Sequence, residues 1–270
     1  MILVRAAIAF FLAVACAACA QTQAPPQAYE PKLGQAGKDV IWVPTPQVLV
    51  DKMLDMAKLT PHDHLIDLGS GDGRTVITAA KRGARAHGIE YNPDMVELSR
   101  RNAAREGVSG KATFAQADLF KSDFSQASVI TMFLLPSINL KLRPKILELK
   151  PGTRVVSNSF TMDKWNADET ATVGEGCTSW CTAYLWIVPA KAQGAWKLPQ
   201  GELTLKQEFQ TLSGALRSEG RTVPVENGRV RGTELAFSVD GVDYRGRVDG
   251  ERLDLATADG RRWIATRAVP

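Results

Sequence analysis

The chain has 270 residues, with 33 basic side chains against 29 acidic ones and a formal net charge of +4. That length holds one α/β domain of ordinary size and a small second module, which excludes a large multidomain enzyme. The near-balance of charge lacks the strong basic field that dominates non-specific nucleic-acid binding, so no nucleic-acid partner is inferred.

Arg5 precedes an apolar run over 6–15 that is too short to span a bilayer, and Ala18-Cys19-Ala20 has the small residues of a cleavage site. Residues 1–20 therefore read as a signal peptide, cleaved after Ala20 and sending the chain to the periplasm. Cys16 and Cys19 leave a lipid anchor open, and an uncleaved segment would keep the chain close to a membrane. Residues 21–38, with Pro25, Pro26 and Pro31 among Gln and Ala, read as a linker. Val43-Pro44-Thr45-Pro46 then forms a stiff extended lead-in, because proline fixes its own φ and biases the residue before it away from helix. Apolar Leu49, Met53, Met56 and Ala57 follow at helical spacing.

Leu65-Ile66-Asp67-Leu68 reads as a buried strand that runs into Gly69-Ser70-Gly71-Asp72-Gly73 and a helix over 74–82. Glycines let backbone approach a ligand, and the helix start behind them presents unpaired N–H groups. A dinucleotide fingerprint would need a third glycine where Arg74 stands, so the spacing is D-x-G-x-G-x-G instead. A strand over 84–90 ends in Glu90; a helix over 93–106 follows, capped by Asn92 and stopped by Gly107. A third strand over 112–117 ends at Asp118-Leu119. Three successive strands thus deliver an acid at the edge where open α/β sheets bind ligands.

The unbroken apolar run over 128–135 predicts a strand buried on both faces, followed by a helix over 140–149 and a fifth strand over 153–159. A closing hairpin pairs 169–173 with 183–188, and Cys177 and Cys181 fall near its tip. Their C-x-x-x-C spacing is not that of a redox motif, and no second pair completes a zinc site; no metal is expected. In an oxidising compartment the two form a disulfide, with free thiols as the alternative. From 194 to 270, Asn227-Gly228, Asp240-Gly241, Asp249-Gly250 and Asp259-Gly260 mark hairpin turns of an antiparallel meander or small barrel. Its charges balance, as on a solvated face, and a part in substrate capture stays open.

The glycine loop with Asp67, Glu90 and Asp118 resembles the class I S-adenosylmethionine-dependent methyltransferases. The resemblance implies that Asp67, Gly69, Ser70, Gly71 and Gly73 face the methionine part of that cofactor. It places Glu90 on the ribose and Asp118, with Leu119 beside it, on the adenine. Trp42-Val43-Pro44-Thr45-Pro46 and the segment from Phe133-Leu134-Leu135-Pro136 to Leu142-Arg143-Pro144 narrow it. Over about residues 40–165 the chain is similar to the mitochondrial protein-lysine methyltransferases of membrane carriers and the ATP synthase c-subunit, with their bacterial relatives. The implied fold is a Rossmann-like α/β sheet with helices on both faces over 39–190, followed by the antiparallel β module.

The implied activity is N-methylation of a protein lysine, with a protein or small-molecule acceptor. Methyl transfer from a sulfonium needs alignment and exclusion of water, not a protein nucleophile, so no catalytic residue is assigned. Phe133, Leu134, Pro136, Asn139, Asn158 and Phe160, at the ends of the fourth and fifth strands, are the acceptor-side candidates. His62, His64 and His87 read as structural. Two other readings stay open: an exported non-catalytic protein binding an adenosine-type ligand, with the β module as interaction surface, and a scaffold. The three acids together favour a ligand pocket over a scaffold.

Overall fold

The computed structural model describes residues 29–268, so the segment read as a signal peptide lies outside the described residues. A helix α1 (Gln47–Met56) leads into β1 (His64–Leu68), α2 (Arg74–Lys81), β2 (Arg85–Glu90), α3 (Pro93–Arg105) and β3 (Ala112–Gln116). Then come β4 (Val129–Met132), α4 (Pro136–Leu147), β5 (Arg154–Asn158), β6 (Glu169–Thr172) and β7 (Thr182–Ile187). These strands form one sheet in the order β3-β2-β1-β4-β5-β7-β6. β1 to β5 are parallel, and β7 runs antiparallel between β5 and β6. Chain order reverses between β1 and β4, which opens the crevice where such sheets take ligands.

Both faces of the sheet are covered, and strand alternation sorts the side chains between them. Leu65 and Val129 face Leu49, Met53 and Val76 of α1 and α2, whereas Ile66, Leu68, Ile130 and Met132 face Ile138, Leu142 and Ile146 of α4. Helix α3 starts as its sequence predicts: the Asn92 side chain accepts from the Asp94 and Met95 amides, with Pro93 in the first turn.

The apolar run over 128–135 is not all strand. β4 stops at Met132, and α4 begins at Pro136, four residues before the expected start at 140. Pro136 suits the first helical position, and it holds Leu135 extended at φ −60° and ψ 152°. Phe133 and Leu134 therefore leave the sheet at its ligand edge.

Residues beyond 190 close an eight-stranded antiparallel barrel. Its strands are β8 (Gly194–Leu198), β9 (Gly201–Glu208), β10 (Thr211–Ser218), β11 (Arg221–Arg231), β12 (Glu234–Val239), β13 (Val242–Asp249), β14 (Arg252–Thr257) and β15 (Arg262–Arg267). β8 pairs with both β9 and β15, and Trp196, Leu203, Leu205, Phe237, Leu253 and Leu255 fill the interior. Asp240-Gly241 forms a two-residue hairpin turn with φ of 52° and 74°. Asn227-Gly228 does not turn the chain: it lies inside β11, where the register with β12 slips between Glu226 and Arg229. Both a turn and a bulge use positive φ, here 52° at Asn227, so the dipeptide fits either.

The barrel sits against the sheet. Phe209 stacks on Trp165 at 6.1 Å, and Arg229 Nη2 donates to the buried Asp168 carboxylate at 2.6 Å. Among the described residues no helix is long and apolar enough to cross a membrane.

Candidate active site

The loop after β1 is shaped by its glycines and braced from three sides. Gly71 has φ 54°, and a Cβ there would meet the Trp42 indole nitrogen at 3.0 Å; one at Gly73, φ 83°, would meet the Phe114 ring at 2.8 Å. Only glycine accepts both the backbone and the crowding. The Gly71 amide donates to Glu90 Oε2 at 3.0 Å, and Glu90 Oε1 accepts from the Asn92 amide at 2.9 Å. From α3, Ser99 donates to the Gly71 carbonyl at 2.8 Å and Asn102 to that of Asp72 at 2.9 Å. Arg74 grips the Asp72 carboxylate at 2.6 Å and donates to the Thr45 carbonyl at 2.9 Å. It ties the proline-rich lead-in to the loop, a role its position alone did not disclose.

The crevice beside this loop is lined by Asp67, Gly69, Ser70, Gly71, Glu90, Asp118, Leu119, Phe133 and Leu134. Gly73 begins α2 just behind. Asp67 is buried and accepts a 2.7 Å hydrogen bond from Thr131, its register partner on β4. Burial pushes its carboxyl up to about 7; Thr131 works against that, while Glu90 and Asp72 add to it. Asp118 sits in the opposite regime: the hydrogen bond from Lys38 at 2.8 Å and that of the Phe120 amide hold its carboxyl below the usual range.

Lys38 was expected in the linker, yet it belongs to the site. The Gly34 amide donates to the Trp42 carbonyl and the Trp42 amide to the Gln35 carbonyl, around a bridge from Ala36 to Ile41, and Gln35, Lys38, Val40, Ile41 and Trp42 line the crevice. Lys38 Nζ also lies 4.5 Å over the Tyr91 ring. The apolar Val40-Ile41-Trp42, directly after the polar Pro-containing stretch, was the available signal of a docked segment.

On the acceptor side, Phe133 and Phe160 come together with ring centroids 6.0 Å apart, and Leu134 is buried against Gly69. Pro136 is exposed at the start of α4 and does not line the crevice. Asn139 and Asn158, expected to present amides to an acceptor, do not. Both are fully buried: Asn139 donates to the Phe160 and Thr161 carbonyls at 3.3 Å each. Asn158 donates to Thr45 Oγ1 at 3.2 Å and accepts from Ser159 at 2.7 Å. They brace the segment after β5 through their amide nitrogens, while the buried Asn139 Oδ1 has no partner among the described residues. Cys177 and Cys181 form a disulfide, and between them Trp180 reaches the two phenylalanines, with centroids 5.8 Å from Phe133 and 5.3 Å from Phe160. The sequence reading missed Trp180; a tryptophan inside a polar loop closed by two cysteines was its signal. None of the three histidines lines the crevice.

Acids ending β1 and β2, a third just after β3, a glycine cradle between them and an apolar wall opposite complement a cationic amino acid, a ribose diol and an adenine. Fold and site together define a class I S-adenosylmethionine-dependent methyltransferase. The family model for the ANTKMT methyltransferase domain matches residues 67–169. The protein-lysine N-methyltransferase of Saccharolobus islandicus is 43% identical over 152 residues, 55% of this chain and 94% of that protein. The ATP synthase c-subunit lysine N-methyltransferase of mouse is 38% identical over 160 residues, 58% of this chain. The alignment spans 62% of the mouse protein's length and 48% of its human counterpart's. A crystal structure described as an RNA methyltransferase from Salinibacter ruber, in complex with S-adenosyl-L-homocysteine, superposes with a TM-score of 0.52 at 48% identity. It covers 55% of this chain and 95% of that one.

The chain belongs to the methyltransferase family that includes the Saccharolobus protein. It is an enzyme, and S-adenosylmethionine is its cofactor; nothing favours the non-catalytic binding protein. When bound, that cofactor supplies an electrophilic methyl group on a cationic sulfur. Asp67, the glycine loop, Glu90 and Asp118 would hold it, and the chain's remaining task is to admit the acceptor and keep water out.

Proposed function

We propose that the enzyme N-methylates a lysine side chain of a protein. The observation that carries this reading is the 43% identity to a protein-lysine N-methyltransferase across 94% of that protein. Mouse relatives named for lysines of the ATP synthase c-subunit and of the adenine nucleotide translocase support it. A free lysine is protonated at neutral pH, and uncovering its lone pair costs roughly 4.6 kcal/mol from its unperturbed pKa near 10.4. That proton has to leave before transfer, because only the neutral amine carries the lone pair that takes the methyl group.

The name of the Salinibacter structure favours RNA as a second reading. The near-balance of basic and acidic residues over the whole chain argues against it. We also propose that the chain works outside the cytosol, either released after Ala20 or held at a membrane by its N-terminal segment. The signal-peptide pattern and the Cys177–Cys181 disulfide support export.

The test is incubation of the full chain with methyl-tritiated S-adenosylmethionine and an extract of its source cells. Label recovered as methyllysine after acid hydrolysis of protein is the expected result. Label released by ribonuclease instead would overturn the protein reading. Intact-mass measurement of the chain from the cell envelope reports whether residues 1–20 are removed, retained or lipidated.

A further inference from the structure

Phe133, Phe160 and Trp180 converge from three elements: the exit of β4, the exit of β5 and the loop between β6 and β7. Phe133 also lines the cofactor crevice, so the cluster continues that cavity on the acceptor side. It does not behave as core. Trp180 is 44% exposed, and both phenylalanines are only partly buried.

The backbone is forced to build the cluster. Ser159, just before Phe160, has φ 58°, and Trp180 itself has φ 59°, a region costly for side chains other than glycine. The disulfide closes the Trp180 loop, and the Asn139 hydrogen bonds to the Phe160 and Thr161 carbonyls fix the segment opposite. Elsewhere, Tyr91, Phe120, Phe124, Phe209, Trp196 and Trp263 each have a lysine or arginine of this chain over the ring. Among the described residues no such cation lies over Phe133, Phe160 or Trp180.

We propose that these three rings form the binding site for the alkylammonium head of the acceptor, with the Cys177–Cys181 disulfide holding Trp180 in place. The choice of an amine rests on the lysine reading above. Methylation of an amine leaves the positive charge on nitrogen. A ring face attracts a cation more than a neutral amine, so the site favours the charge that develops during transfer. Lining the acceptor side with rings also excludes the water that would compete for the methyl group.

The experiment uses the full chain loaded with S-adenosylhomocysteine and two probes of similar size, tetramethylammonium and neutral neopentyl alcohol. Affinities are measured by calorimetry in wild type and variants alike, and the place of binding by the indole N–H resonances in NMR spectra of the wild type, with the Trp180 signal assigned from its loss in Trp180→Phe. The ammonium is expected to shift that signal and to bind about tenfold more tightly than the alcohol, in the range of a desolvated cation–π contact. Trp180→Ala should weaken it about tenfold, while Trp180→Phe keeps a ring and most of the affinity. The double variant Cys177→Ser/Cys181→Ser should weaken it as reduction weakens the wild type, and reduction should then have no further effect.

S-adenosylhomocysteine affinity, measured by calorimetry, is expected to be unchanged in all variants and controls for folding; Trp180→Leu is a second variant should alanine disturb the loop. Equal affinity for the alcohol, or unchanged ammonium binding in Trp180→Ala and Trp180→Leu, overturns the proposal. Because neither probe is a methyl acceptor, the ring site can fail while lysine methylation stands, and the reverse holds too.

Discussion

Replacing Asp67 with asparagine should stabilise the ligand-free enzyme and weaken its hold on the cofactor. Burial has pushed the Asp67 carboxyl to about 7 from an ordinary 3.8. A rise of about 3 units corresponds to the order of 4 kcal/mol against the ionised form. Between those two values the folded chain keeps a proton that the unfolded chain has lost, so stability falls as pH rises through the window and levels off above it. Asparagine keeps an acceptor for the Thr131 hydroxyl but has no proton to lose. Its advantage should therefore be small near pH 4 and grow to about 2–4 kcal/mol above pH 8. The cofactor is cationic, so its binding favours the carboxylate. With half-ionisation near 7, the ionised fraction rises about thirtyfold between pH 5.5 and 8, and wild-type affinity should follow it. Chemical denaturation and calorimetric titration with S-adenosylmethionine, each at pH 5.5, 7 and 8, measure both effects. If the asparagine variant loses stability with pH as steeply as wild type, the proton is not on Asp67. If wild-type affinity is flat across the same range, the cofactor's charge does not sense this carboxyl.

Gly71→Ala should cost about 1–2 kcal/mol for a left-handed backbone and, by pushing on Trp42, lower cofactor affinity at least tenfold in calorimetry. Asn139→Ala leaves the Phe160 and Thr161 carbonyls without their donor and should destabilise the fold by about 1–3 kcal/mol in urea. Asp168→Ala strips the buried partner of both the Ile187 amide and Arg229, with a similar cost of about 1–3 kcal/mol. Wild type should melt in one calorimetric transition and Asp168→Ala in two; a single unshifted transition would show that Asp168 does not couple barrel to sheet.

The parts of the site readable from sequence are those that depend on neighbours in the chain. Alternation puts Asp67 on the face of Leu65, and a glycine run after a strand has few conformations that also start a helix, so loop and acids follow from local rules. Asn139 and Asn158 failed for the opposite reason. An amide near a sheet edge suits a ligand or a brace equally well, and Asn158 finds its brace in Thr45, 113 residues away. Lys38 meets Asp118 across 80 residues, so the composition of 21–38 could not announce it. The barrel shows the same limit in its backbone. Turn residues suggested a meander or a barrel, but closure depends on β8 meeting β15 from opposite ends of the module, a pairing no local signal specifies. Closure has a functional consequence: each barrel strand has a neighbour on both sides, and only the part of β15 before Thr266 lacks a pair on its β8 side, which leaves little edge on which to add a peptide. Any acceptor it engages must be gripped chiefly by side chains and loops, while β6, the outer strand of the sheet beyond β7, keeps one unpaired edge close to the disulfide loop.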